Sequence, residues 1–539
     1  MSLLPLDLVR ARKFAIALGI VDVDAFFEAV KQNGLEHFIE RPLDVSWLVS
    51  KWRADGRFGP LRIMIESNVD ERLTDRRTVG RIGNLPVDRA RLGVQRLATV
   101  ATLSAKTSFP VRDSATTADA QLQPEAILSE WRRDEVKDLL QLPIFDEGTA
   151  STIRVHVKEV QEFLCAQWLR DRVQNDLLTQ ERLAALLFRP SGARTTIPTH
   201  LASVAAWLAL DNSYVSELMI EHAPHQLLDE GDPASLPTTT RERILRAYAA
   251  KFGDRNRTEV HFNERGLRRF SHPDLSPVIT ELISSVPGED VRATMLDIVA
   301  AGKLGGCADI ALQLAMSSET PGHVRDAAVR AASHAGSPTQ RVALAALASA
   351  PGTLDLEVAG TLVASLYPDP LTTGMLSDLI EAIASRADAH QATRLHRALS
   401  REVVQRCPPN ERLSLASSMN RAVEQGCEWI SESLVELVAV HLRERPKDVF
   451  TPEIDEVLGR FDTLENRWES HDSNIKPLEG AAEHVDLRRN LLKWYVQRLL
   501  GQKEDVSIGC SSQIDAHARR LFFAGFGDLG VMSTMLAST

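Results

Sequence analysis

The 539 residues are 44% hydrophobic and 25% charged, enough apolar material for two to four packed units rather than one core. Sixty-two Lys+Arg against 73 Asp+Glu leave a net charge of -11, so bulk electrostatics offer nucleic acid or an anionic membrane no general attraction. Five cysteines (Cys165, Cys307, Cys407, Cys427, Cys510) lie far apart without a C-x-x-C pair, which argues against a zinc site or a disulfide framework and suits reduced thiols in the cytoplasm.

No run of about 18 apolar residues occurs, and the N-terminus has neither a basic nor an apolar leader region. A cytoplasmic protein without a membrane partner is expected. Aromatic content is 5% and β-branched alternation is scarce, so a mainly α fold is expected.

In chain order, helices are predicted over Leu6 to Leu18, over Asp22 to Gln32 with an aspartate cap, and over Val45 to Ala54 after Arg41-Pro42. Pro42 suits a first helical turn, where its missing N–H is not needed. A turn over 55–60 and a helix over Leu61 to Leu73 complete a helical subdomain, residues 1–77. Helices at Val87 to Ala105 and Pro124 to Leu140 then lead to Ile153–Leu169. That stretch begins with strand alternation and continues as a helix placing Val160, Phe163, Leu164 and Trp168 on one inward face, with Lys158 and Glu162 on the wet one. Helices followed by a short strand pair and another helix suit a winged-helix unit, residues 78–172.

Residues 173–270 read as a helical linker region, including Leu201 to Leu210 and Arg241 to Phe252. Within it, Lys251 to Phe270 carries six cations. They could face phosphates or an acidic neighbouring domain, but the plainer reading is a solvated linker. Helix openings then recur at Val291, Val324, Val358 and Gln391, with Pro-Gly breaks at 287–288, 321–322 and 351–352. The period of 33 to 34 residues predicts an α-solenoid of HEAT-like repeats over 271–409. The last part, 410–539, reads as a C-terminal helical region in which Ile514 to Leu536 could cap the array.

Motifs of chemistry are sparse. Gly302-Lys303 lacks the flanking glycine and hydroxyl residue of a phosphate-binding loop. Leu139–Glu147 mimics the apolar-strand-then-acid pattern of a magnesium site, yet Pro143 interrupts it. His222 and His225 are three apart with Pro224 between them and no third ligand. There is neither a G-x-S-x-G elbow nor an H-E-x-x-H helix.

The segment Gln161-Glu162-Phe163-Leu164, with Ala166 and Trp168-Leu169 beyond, resembles the Q-E-[FY]-L-x-A segment that closes the winged-helix domain of NACHT-type STAND signalling ATPases, bacterial ones in particular. Arg41-Pro42-Leu43-Asp44-Val45-Ser46-Trp47-Leu48, followed by Trp52, Gly56 and Gly59, is similar to the helical subdomain after the ATPase core of that family. Val204–Ala209 is similar to a helix that follows the winged helix. The resemblance covers roughly residues 1 to 230. It implies the post-ATPase half of such a protein, separated as its own chain or truncated from a longer one, since the P-loop is missing. Pro42 matches a proline that packs near adenine. The family's phosphate-contacting histidine falls at Val157, and His156 lies one residue earlier, which on an alternating strand points to the other face.

The expected function is therefore non-catalytic: a sensor of antiviral defence type that binds a protein through its solenoid. ATP or ADP is expected only together with a separate P-loop ATPase, which would be a partner alongside any effector chain. A free-standing HEAT-repeat scaffold is the alternative. An enzyme with a site in 410–539 is a third reading.

Overall fold

The computed structural model describes residues 6–74, 85–110, 123–147, 152–192, 194–254, 262–349, 354–386, 392–464, 487 and 490. The protein is mainly helical, and the chain divides into two compact units, Met1–Ile310 and Ala311–Thr539.

The first unit opens with α1 (Leu8–Ala17) and α2 (Val23–Gln32). Asp7 and Asp22 cap them by accepting from the N–H of Arg10 (2.7 Å) and of Ala25 (2.9 Å). Helix α3 (Pro42–Asp55) starts on Pro42 and ends at Gly56, whose left-handed φ of 65° a glycine adopts without strain. Helix α4 (Leu61–Thr74) follows. Phe26, Phe38, Trp47 and Phe58 are buried between these four helices.

Next come α5 (Val87–Leu103), β1 (Phe109–Pro110), α6 (Pro124–Ile127), α7 (Arg133–Leu140), β2 (Phe145–Glu147), β3 (Thr152–Val155) and α8 (Lys158–Gln174). The strands form an antiparallel sheet in the order β1-β3-β2, with Phe109 opposite Ile153 and Phe145 opposite Val155. The single helix expected over 124–140 is broken. The chain turns at Leu128 to bury Leu128 and Trp131, and restarts where Arg132 N–H donates to Glu135 (2.9 Å). Strand β1, two residues long, is too short for any periodicity to betray.

Helix α8 runs between α5 and α10 (Ala202–Ala209), so it is buried all round from Val160 to Gln167. Glu162 is therefore not on a wet face: it is 5% exposed, while its partner Lys158, 3.2 Å away, remains in solvent. Trp168 also leaves the shared face and lies half-buried with Arg172 stacked 4.7 Å over its ring. Between α8 and α10 come α9 (Gln180–Leu187) and an unexpected hairpin, β4 (Arg189–Ser191) and β5 (Arg194–Thr196).

The unit continues with α11 (Ser213–His222), α12 (Thr238–Phe252), α13 (Glu264–Phe270), α14 (Ser276–Ser285) and α15 (Glu289–Gly302). In the expected linker, residues 264–270 are a helix rather than solvated chain. Arg265 lies 3.3 Å from Glu36, and Arg268 donates to the Lys31 carbonyl at 2.8 Å. The acidic-neighbour reading holds for Arg265 and Arg268, which face Glu36, while Lys251 and Arg269 bond backbone carbonyls and Arg255 and Arg257 lie outside the described residues.

Helix α16 (Ala308–Met316) leads to α17 (Gly322–Ala335), α18 (Pro338–Ala345), α19 (Leu356–Leu366), α20 (Thr373–Ala384), α21 (Thr393–Ala398), α22 (Val404–Arg406), α23 (Arg412–Glu424), α24 (Ser431–Glu444) and α25 (Pro452–Leu464). In the second unit α19 lies between α17 and α21, and α20 packs on α23. Buried Asp326 on α17 bonds Thr361 on α19 and pairs with Arg394 on α21. Gly360 lets the α21 backbone come close: a Cβ there would lie 2.5 Å from Leu395 N. Cys165, Cys307, Cys407 and Cys427 are free and buried. Cys510 and the expected cap at 514–536 lie outside the described residues. Among the described residues no helix is long and apolar enough to cross a membrane.

Candidate functional site

A buried charged cluster of the first unit lies where α3 and α4 meet the end of β3. Alternate turns of α4 bring Asn68 and Arg72 to its buried side, and α3 brings Asp44. The Asp44 carboxylate has no solvent exposure. It accepts from Arg72 Nη2 (2.7 Å) and Asn68 Nδ2 (3.2 Å), with Arg41 Nη1 at 3.5 Å. His156 faces it from the other side, Nε2 to Oδ1 at 3.8 Å, while its Nδ1 lies 3.0 Å from the Ile144 carbonyl oxygen. Arg41 continues the link to the sheet by donating to Asp146 at 2.6 Å.

Burial works against ionising Asp44, but His156, Arg72 and Arg41 outweigh it and hold the carboxyl below its ordinary range. Burial pushes the His156 imidazole down, against the opposing pull of Asp44. Asn68 Oδ1, Arg72 Nε and His156 Nε2 are buried without a hydrogen-bond partner. Such groups weaken a closed interface, because an unmet buried polar atom costs about 1–3 kcal/mol.

The far side of α8 is apolar. Phe163 meets Trp207 of α10 edge to face at 5.1 Å, and at its rim Asp211 accepts from Arg62 (2.7 Å) and Arg170 (3.0 Å). A charged cluster beside α8 ties His37 to Glu159 at 2.5 Å. Glu162 and Glu230 are both pushed up, chiefly by burial.

Of the residues singled out in the sequence, Val160, Phe163 and Leu164 come together in this core, and Trp168 does not. Pro42 is exposed at the start of α3. His156 is not on a strand, since β3 ends at Val155; strand alternation does not apply, and the ring turns inward to Asp44. His156 is closed off against the Asp44 carboxylate, and Pro42 lies at the surface. Asp146, the mimic of a magnesium ligand, is the partner of Arg41. His225 lies edge-on to Phe252 at 5.5 Å, and burial pushes it down to about 4. Among the described residues no three His, Cys, Asp or Glu side chains group as metal ligands. In 410–464 one His–Asp pair occurs, His441 Nε2 to Asp448 Oδ2 at 2.9 Å, with His441 buried.

Sequence reasoning missed the Asp44 cluster. Its signal was Asn68 and Arg72 spaced i, i+4 among Leu61, Ile65 and Val69, two polar residues on an apolar face.

Fold and site define a mainly helical protein whose N-terminal helices are locked by a buried ionic joint to a small sheet-bearing unit. No family model, curated protein or solved structure matches the chain.

Proposed function

We propose that this chain is a non-catalytic regulatory and recognition protein, akin to the sensor half of a NACHT-type STAND system of bacterial antiviral defence. The Asp44–Arg72–His156 joint is the observation that carries the reading. It links the helical subdomain to the next unit through charges that are stable in the interior only while matched, so a partner that separates the two surfaces must offset the lost ion pair and hydrogen bonds, helped by the hydration the freed charges regain. The helix–strand–helix–helix–hairpin order of 87–155 supports a winged-helix assignment. The side-by-side rows of α17, α19 and α21 and of α20 and α23 support a HEAT-like array with room for a protein partner.

The DNA flanking the gene is read for a P-loop ATPase, and the full chain is mixed with that purified ATPase and ATP, ADP or no nucleotide in sedimentation velocity; absence of such a gene would count against the proposal. Nucleotide-dependent association is the expected result. Association indifferent to nucleotide would favour a constitutive scaffold, and none at all would remove the ATPase from the proposal.

A further inference from the structure

Between α9 and α10 the chain puts out a short ribbon. Phe188 and Ile197, 7% and 8% exposed, anchor its ends. Between them β4 and β5 pair Arg189 with Thr196 and Ser191 with Arg194, and Gly192 at the turn (φ 61°) has open space about it. Residues directly opposite on an antiparallel pair stand on the same side, as do alternate residues of one strand. Arg189, Ser191, Arg194 and Thr196 thus share one face, and all four are exposed. Neither arginine has an ion-pair partner among the described residues, and 188–197 contains no acid.

Helix α11 packs against β5, yet the face of Arg189, Ser191, Arg194 and Thr196 is left to solvent, and proteins ordinarily blunt or cover such edge strands. We propose that the Arg189/Arg194 face is a docking surface for an extended acidic segment of a partner protein, with carboxylates at alternate positions. The two arginines are diagonal neighbours, roughly 7–8 Å apart. Alternate side chains of an extended strand recur about every 6.6 Å, so a Glu-x-Glu segment meets both guanidiniums. Each can take a carboxylate in fork geometry, and the Ser191 hydroxyl is placed to bond the peptide backbone, while that of Thr196 donates to the Arg189 carbonyl at 3.4 Å. Two arginines on a chain of net charge -11 would release few counterions from a nucleic acid, which favours a protein partner. The ribbon lies outside the ionic joint and outside 311–464, so it stands or falls apart from the function proposed above.

The full chain is titrated with a dye-labelled Glu-Thr-Glu-Thr-Glu-Thr-Glu peptide and followed by fluorescence anisotropy at low and high salt. A block peptide of the same composition and a single-stranded oligonucleotide are titrated alongside. Expected are binding of the alternating peptide, weakened by salt, and a loss of about tenfold or more in Arg189→Glu/Arg194→Glu. Arg133→Glu/Lys137→Glu, a reversal of two exposed cations on α7, should leave binding unchanged. Arg189→Gln/Arg194→Gln, melting like the parent, should show the loss without charge reversal. Binding indifferent to the ribbon variants, equal binding of the block peptide, or preference for the oligonucleotide would each overturn the proposal.

Discussion

Asp44 shows how much one buried charge can decide. Its carboxylate balances Arg72, which is 1% exposed, so Asp44→Asn keeps the shape and strands a guanidinium. Breaking a buried pair in this way costs about 3–5 kcal/mol, and chemical denaturation of the variant should show a loss of that order. A shift below about 1 kcal/mol would mean that water reaches Arg72. The facing histidine sets a pH dependence. Burial depresses the folded His156, while the unfolded ring takes a proton near pH 6.5. Stability therefore falls as the pH drops from about 6.5 toward the depressed value, since only the unfolded chain gains that proton. Asp44 adds to the loss only below its ordinary value of 3.8. Melting temperatures of the parent between pH 7.5 and 5.5 should decline more steeply than those of His156→Gln, and parallel curves would clear His156 of the role. Little of this was legible in the sequence. His156 was placed by strand alternation, and the strand stops one residue short of it.

Among the elements, α8 was readable in type but not in exposure, and it runs on to Gln174, past the Leu169 where the pattern was read to end. Its pattern of Lys158 and Glu162 against Val160, Phe163 and Leu164 suggested a two-faced helix, whereas α5 and α10 cover it from opposite sides. Phe163→Ala opens a void against Trp207 and should cost about 3–5 kcal/mol. An unaltered melting temperature would show that the helix is misplaced. The helices opening near 291, 324, 358 and 391 could be foreseen because their apolar residues recur with the chain period. The glycine that sets their spacing could not, since close approach is a property of two helices at once. Gly360→Ala forces a methyl into the α21 backbone, so α19 and α21 must part, at about 1–3 kcal/mol. Amide exchange should quicken in 393–398, and unchanged protection there would refute the contact.

At the level of the whole chain, composition foretold helix and more than one core, and two units are found. Chains built of several units depart from all-or-none unfolding. The calorimetric enthalpy of the full chain should accordingly exceed its van't Hoff value, and equality would mean one cooperative block. Over 264–270 the solvated-linker reading failed because charge runs look alike whether they face water or Glu36; only the fold brings residues 36 and 265 together. The short β4–β5 hairpin escaped because three-residue strands carry no period.

The four buried thiols give the molecule a stopwatch. Cys165, walled in by α8 and α5 and pushed up to about 12 by burial, cannot react as a thiolate while its surroundings stay closed. Each alkylation event there records one opening. Cys307, Cys407 and Cys427 keep time at three other places, so a single mass-spectrometric time course of alkylation can tell which part of the chain breathes first.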